Sequence, residues 1–372
     1  MKKSLSKKEK KQFEKKVQLI TEIDEQKVKD KTPNEIEKLK ELSIKSKTTS
    51  KLQELLKNAQ LLFDILNENE FYLPGISKKW IIFSLEYLIS PYDLIPDTIP
   101  VIGYIDDALV ISWVMYLIND DILRFHAFKK AKEAQNKKNL LINLSEGTNN
   151  KEIIIVSGIL SKPQDPSYTA RWLKNLNKIY PDSSISIFNW NIITCRELNK
   201  VIRNLNHRLA LKILYDTKKF TTDWNDAKQH STFYAKALVN NIKDLQSKTS
   251  NRKDIIIICH SLGARLVSFA LDEFEKDIVD EIFILAGATI EKSKLVNNIH
   301  KVKSLTNLYS TKDFVLKFIF ENFENTEKPI GISPVYEGQI PNLYNINCSK
   351  EIKKHSDYKD KLADLFKKFN LK

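Results

Sequence analysis

Asp254-Ile255-Ile256-Ile257-Ile258-Cys259-His260-Ser261-Leu262-Gly263-Ala264-Arg265 is the stretch from which the rest of the chain can be read. Four consecutive isoleucines, with no polar alternation, predict a strand buried on both faces. From Ala264 to Phe274 the apolar residues take helical spacing. A strand, a tight turn with a central Ser and a helix form the setting in which a G-x-S-x-G-type turn presents a nucleophile. Such a turn is strained and crowded, so the residues beside Ser261 must be small. Gly263 satisfies this on one side, and Cys259 stands where Gly is usual on the other. A pentapeptide alone also fits an ordinary turn after a buried strand. The reading therefore depends on what surrounds it.

Upstream, Glu152–Val156 reads as a strand ending at Ser157-Gly158-Ile159, Tyr168–Ile179 as a helix, and Ile185–Trp190 as a second strand. Leu198–Asp216 and Asp226–Leu245 read as helices. Downstream, Glu281–Ala286, Leu305–Tyr309 and Leu343–Ile346 read as strands. Alternation of apolar strands with amphipathic helices predicts an α/β fold, a mostly parallel sheet flanked by helices on both faces.

Placement along the chain selects the partners of Ser261. In an α/β-hydrolase the three reactive side chains follow the order Ser, Asp or Glu, His. Asp313 lies just past the Leu305–Tyr309 strand, and of the six histidines only His355 lies beyond it. Ser261 is then the nucleophile, His355 the base that takes its proton, and Asp313 the group that orients the imidazole. The oxyanion needs two donors: the backbone amide of Leu262, and one from the loop after the first strand, at Gly158 or Ile159. Asp357 is a rival orienter but lies close to His355 in sequence. Cys259, at the end of a buried strand, reads as an inert thiol. His260 reads as packing beside the nucleophile.

Ile155-Val156-Ser157-Gly158, His260-Ser261-Leu262-Gly263-Ala264-Arg265, Ile284-Leu285-Ala286-Gly287-Ala288, Asp313-Phe314-Val315-Leu316 and His355-Ser356-Asp357-Tyr358 occur in this order. Together they resemble the domain of unknown function 726 family of α/β-hydrolases, across Ile153–Tyr358. The resemblance implies the same Ser261, Asp313 and His355 assignment that chain order reaches on its own. That family usually has Gly at the position of Cys259, and the fold implies no substrate.

The first 140 residues have a different character. Leu5–Lys57 alternates lysine and glutamate around sparse apolar positions, predicting two or three helices broken near Thr32-Pro33 and again at Ser46–Ser50. Leu52–Leu66 is an apolar-faced helix. Trp80–Ile118 holds two apolar runs, each too short to span a membrane alone, joined by a Pro- and Gly-containing turn: a helical hairpin. Ser90-Pro91-Tyr92-Asp93-Leu94-Ile95-Pro96-Asp97, followed by Pro100, Gly103, Asp106 and Asp107, resembles the domain of unknown function 1232 family. That resemblance implies a small helical domain with no set chemistry. Its aspartates fit turn and cap positions better than a metal site. The domains expected are a basic helical segment at 1–50, a helical-hairpin domain at 51–140, and an α/β domain at 150–372.

The formal net charge is +13, much of it in the first sixteen residues, which carry no apolar signal-type core. Three cysteines form no even framework, which fits a reducing compartment. The chain reads as a cytoplasmic serine hydrolase cleaving an ester of lipid-like character, without cofactor or metal. Its N-terminal lysines are candidates for contact with an anionic membrane surface. No nucleic-acid motif accompanies the charge, and oligomeric state is not readable. The alternative is a non-catalytic interaction or membrane-associated protein that retains the hydrolase fold.

Overall fold

The computed structural model describes residues 5–45, 50–90, 104–134, 137, 139–158, 165–190, 217–249, 251–324 and 327–371. It divides into two compact units, Met1–Phe128 and Lys129–Lys372.

The first unit is helical: α1 (Lys7–Gln18), α2 (Glu22–Lys45), α3 (Ser50–Asn67), α4 (Gly75–Leu88), α5 (Tyr104–Leu117) and the start of α6 (Asn119–Ala134). Ser6 and Glu9 close α1 with a reciprocal capping box. Phe13 and Val17 face inward, where Phe13 meets Phe83 at 5.1 Å between ring centroids. Trp80 and Trp113 meet edge to face at 5.2 Å in the same cluster. The two described helices of the apolar hairpin contribute to this core: α4 packs on α5, and α3 packs on both. No helix among the described residues is long and apolar enough to cross a membrane.

The expected break at Thr32-Pro33 is corrected. Helix α2 runs through Pro33, and the chain breaks instead before it, at Leu19–Thr21. An interior proline forfeits one hydrogen bond and crowds the preceding turn. Here Val28, Thr32, Ile36 and Leu39 form a fully buried stripe along α2, and that burial overrides local preference. The break falls where Thr21 turns its backbone amide and hydroxyl onto Asp24, both at 2.8 Å, which holds the Asp24 carboxyl below its usual value. The turn residues Asp93 and Asp97 lie outside the described residues. Asp106 and Asp107 stand buried in the first turn of α5, where Tyr87 donates to Asp106 Oδ2.

The second unit carries β1 (Leu141–Ser145), β2 (Lys151–Val156), α7 (Pro166–Ile179), β3 (Ser184–Phe188), α8 (Thr217–Ser247), β4 (Asp254–His260), α9 (Gly263–Glu273), β5 (Glu281–Leu285), α10 (Lys292–Asn298), β6 (Ser304–Tyr309), α11 (Phe314–Phe323), β7 (Leu343–Asn347) and α12 (Asp357–Phe369). The strands form one α/β-hydrolase-like sheet in the order β1-β3-β2-β4-β5-β6-β7. All neighbours are parallel except β1 against β3. Strand β1 lies in a stretch the sequence presented only as a polar boundary. It is a half-exposed edge strand, so it lacks the apolar run that marks its neighbours.

The chain leaves β2 to one side to form β3 and returns to form β4 on the other. That reversal makes the carboxyl ends of β2 and β4 a topological switch point, the place where open α/β sheets take ligands. Gly158 follows one of these strands and Ser261 the other.

Candidate active site

Ser261 sits directly after β4 in the left-handed region, with φ of +56°. A residue with a Cβ adopts that conformation at a cost, sustained only where the surroundings enforce it. Here two neighbours enforce it. The Ser261 amide donates to the Leu285 carbonyl at 3.0 Å, and the Ala288 amide donates to the Ser261 carbonyl at 2.9 Å. The turn is as crowded as the motif requires. A Cβ added to Gly263 would lie 2.1 Å from the Val156 carbonyl oxygen, and one added to Gly158 would lie 2.7 Å from Ser261 Cβ. Both positions accept glycine alone.

Asp313 comes from the loop after β6 and His355 from the loop after β7, at the same edge of the sheet. His355 Nε2 lies 2.9 Å from Ser261 Oγ, and its Nδ1 lies 2.7 Å from Asp313 Oδ2. Asp313 is fully buried, and the other two are nearly so. The structure therefore brings together the three side chains that chain order selected, in one hydrogen-bonded relay. With the Asp313 carboxylate as acceptor, Nδ1 carries the proton and Nε2 is free to accept from the Ser261 hydroxyl. Asp313 is also the N-cap of α11, where its Oδ1 accepts from the Leu316 amide at 3.1 Å.

The rival acids are engaged elsewhere. Asp357 Oδ2 accepts from the backbone amides of Lys353 and Lys354, each at 3.0 Å. Asp280 precedes β5, at the opposite edge of the sheet, and pairs with Arg252 and Lys303.

The Leu262 amide stands at the start of α9, and Gly158 lies against Ser261. Neither amide is spent on an acceptor among the described residues, so both are open to a new oxygen. Ile159 lies outside the described residues. So do residues 191–216, and with them the helix expected at Leu198–Asp216; the helix expected at Asp226–Leu245 lies within α8.

Cys259 is buried and points its sulfur at the Phe283 carbonyl, 3.5 Å away. Burial pushes its thiol well above the usual range, which leaves it protonated and unreactive. His260 does more than pack. Its Nε2 lies 3.1 Å from the His355 carbonyl oxygen, with ring centroids 4.9 Å apart. Burial, then the nearby His355 and Lys359, hold its pKa well below the usual value. It is neutral, and its Nε2–H donates to the backbone carbonyl of His355. Nothing in the local sequence foretells that tie, because it joins residues 95 positions apart.

Residues 77–113 match the family model described as Protein of unknown function (DUF1232). Over 135 residues the chain is 24% identical to an uncharacterized membrane protein of Caenorhabditis elegans, an alignment that takes in 34% of this chain and 22% of that one. The chain thus covers less than a quarter of that relative's length. The match that spans the sheet and all three relay residues is to the model described as Protein of unknown function (DUF726), over residues 139–372, and the chain belongs to that family.

Proposed function

We propose that this protein is a serine hydrolase that cleaves an ester through an acyl-enzyme. One observation carries the reading: the unbroken relay Ser261 Oγ–His355 Nε2, His355 Nδ1–Asp313 Oδ2, at 2.9 and 2.7 Å, on a strained turn that only enclosing contacts sustain. A serine hydroxyl is a weak nucleophile until a positioned base accepts its proton. As Ser261 Oγ bonds to the ester carbonyl carbon, its proton passes to His355 Nε2. Asp313 stabilises the imidazolium without taking the proton itself. The carbonyl oxygen, now negative, is received by the Leu262 and Gly158 amides, whose dipoles need no rearrangement to meet it. The C–O bond to the leaving alcohol breaks, and His355 supplies the alcohol's proton. Water then repeats the sequence on the acyl-enzyme and restores Ser261.

The test is labelling by a fluorophosphonate probe together with p-nitrophenyl ester hydrolysis. The wild-type chain takes the label at Ser261. Ser261→Ala takes none and loses activity by on the order of 10⁶-fold while keeping its melting temperature. An alanine variant that still hydrolyses the ester removes the assignment.

A further inference from the structure

Asp313 and His355 are buried, but their neighbours in the chain are not. Lys312, Phe314, Lys353 and Lys354 are all exposed, Phe314 by 46%. The hydrogen bond between Asp313 and His355 draws the two loops together. Consecutive Cα atoms lie about 3.8 Å apart, so these four flanking residues share one small area of surface. Lys312 and Lys353 come within hydrogen-bonding reach of each other, which lowers the Lys353 ammonium from its usual value.

Some lysines of the same unit are paired with carboxylates. Lys228 is neutralised by Glu324, Lys243 by Glu275, Lys253 by Glu152 and Lys303 by Asp280. Among the described residues Lys312, Lys353 and Lys354 form no ion pair. Of the nearby carboxylates, Asp357 holds two backbone amides and Lys361, and Glu351 pairs with Lys368 while also attracting Lys353. Three exposed lysines therefore flank Phe314 and the buried Asp313–His355 pair along the chain, and Lys353 also donates to the Ser349 carbonyl at 3.0 Å and is attracted by Glu351.

We propose that this rim is a docking surface for an anionic lipid bilayer, and that the ester cleaved at Ser261 is drawn from that bilayer. The inference rests on the hydrolase reading and narrows its substrate to a lipid ester presented at a negatively charged interface. The chemistry of the rim selects this occupant. Lysines near an anionic leaflet gain attraction that falls off with salt, and an aromatic side chain among them enters the headgroup boundary. A free phosphate would want an enclosed pocket, whereas these charges stand on an open face. A second copy of the chain would meet like charge with like charge. A nucleic acid would use the lysines but leave a single Phe314 without the successive stacking platforms that single strands employ. The site is distinct from the N-terminal lysines, which stand on the outer side of α1 in the helical unit.

Ser261→Ala full-length protein, which cannot consume the lipid, is sedimented with phosphatidylglycerol vesicles and with phosphatidylcholine vesicles, at low and high salt. Binding is expected to phosphatidylglycerol alone and to weaken with salt. Changing Lys312, Lys353 and Lys354 together to Gln should weaken it about 100-fold, and changing them to Arg should restore it. Phe314→Ser should weaken binding at both salt concentrations. Melting curves of each variant separate a binding defect from a folding one. Equal binding to both vesicle types, or loss on changing Lys7, Lys8 and Lys11 to Gln with none in the rim variant, overturns the proposal. So does displacement by millimolar inorganic phosphate, or retention on a single-stranded oligonucleotide with no vesicle binding. A wild-type chain that labels with fluorophosphonate yet ignores vesicles overturns this inference alone. One that takes no label overturns this inference and the hydrolase reading together.

Discussion

Asp313 is asked to do two things at once: one carboxylate oxygen orients His355 and the other caps α11. Substitution can separate the tasks. Asn caps a helix about as well as Asp but cannot stabilise an imidazolium, and it favours the wrong tautomer. Asp313→Asn should therefore lower kcat by about 10⁴-fold and leave the melting temperature nearly unchanged. Asp313→Ala should lose the rate to a similar degree and also about 1 kcal/mol of stability with the cap. Ester kinetics and thermal melts on the two variants check this; a stable, active Asn variant would move the orienting role elsewhere. The relay was legible in the sequence because strand ends and chain order admit one solution. The bond from His260 to the His355 carbonyl was not, nor was the cationic rim. Both arise only when the loops after β6 and β7 are folded against the turn after β4.

At the scale of elements, the strand–turn–helix around Ser261 could be read because three local signals agree: an isoleucine run, a small residue on each side of Ser261, and helical spacing after it. Where local and tertiary signals conflict, the sequence misled. Strand β1 hides in an asparagine-rich stretch because an edge strand with one open face needs no apolar run. Pro33 suggested a break that the buried stripe of α2 overrides. The proline still carries its cost within the helix. Pro33→Ala should stabilise the helical unit by up to about 3 kcal/mol, seen as a rise in its melting temperature by circular dichroism. A drop would mean that the ring itself is needed for packing.

For the whole molecule, the two units each own a core. Aromatic side chains from α1, α4 and α5 fill one, and the sheet with its helices fills the other. The described helices of the apolar hairpin pack inside the helical unit, so their composition reports packing. If the chemistry belongs to the second unit, a chain comprising residues 129–372 should fold and take the fluorophosphonate label at Ser261 at a rate within about tenfold of the full chain, a difference of about 1.4 kcal/mol in barrier. A folded fragment that stays unlabelled would show that the helical unit completes the site.

Because the carboxylate that holds His355 is also the cap of α11, the reactivity proposed for Ser261 would be tied to the fraying of a single helical turn. Helix ends open at a small fraction of the free energy that unfolds a whole domain. When that turn opens, the imidazole loses its guide while the seven strands stay paired. Under the hydrolase reading, warming or mild denaturant should then switch the relay off reversibly before the sheet melts, and hydrogen exchange at the Leu316 amide and loss of turnover should follow one local equilibrium.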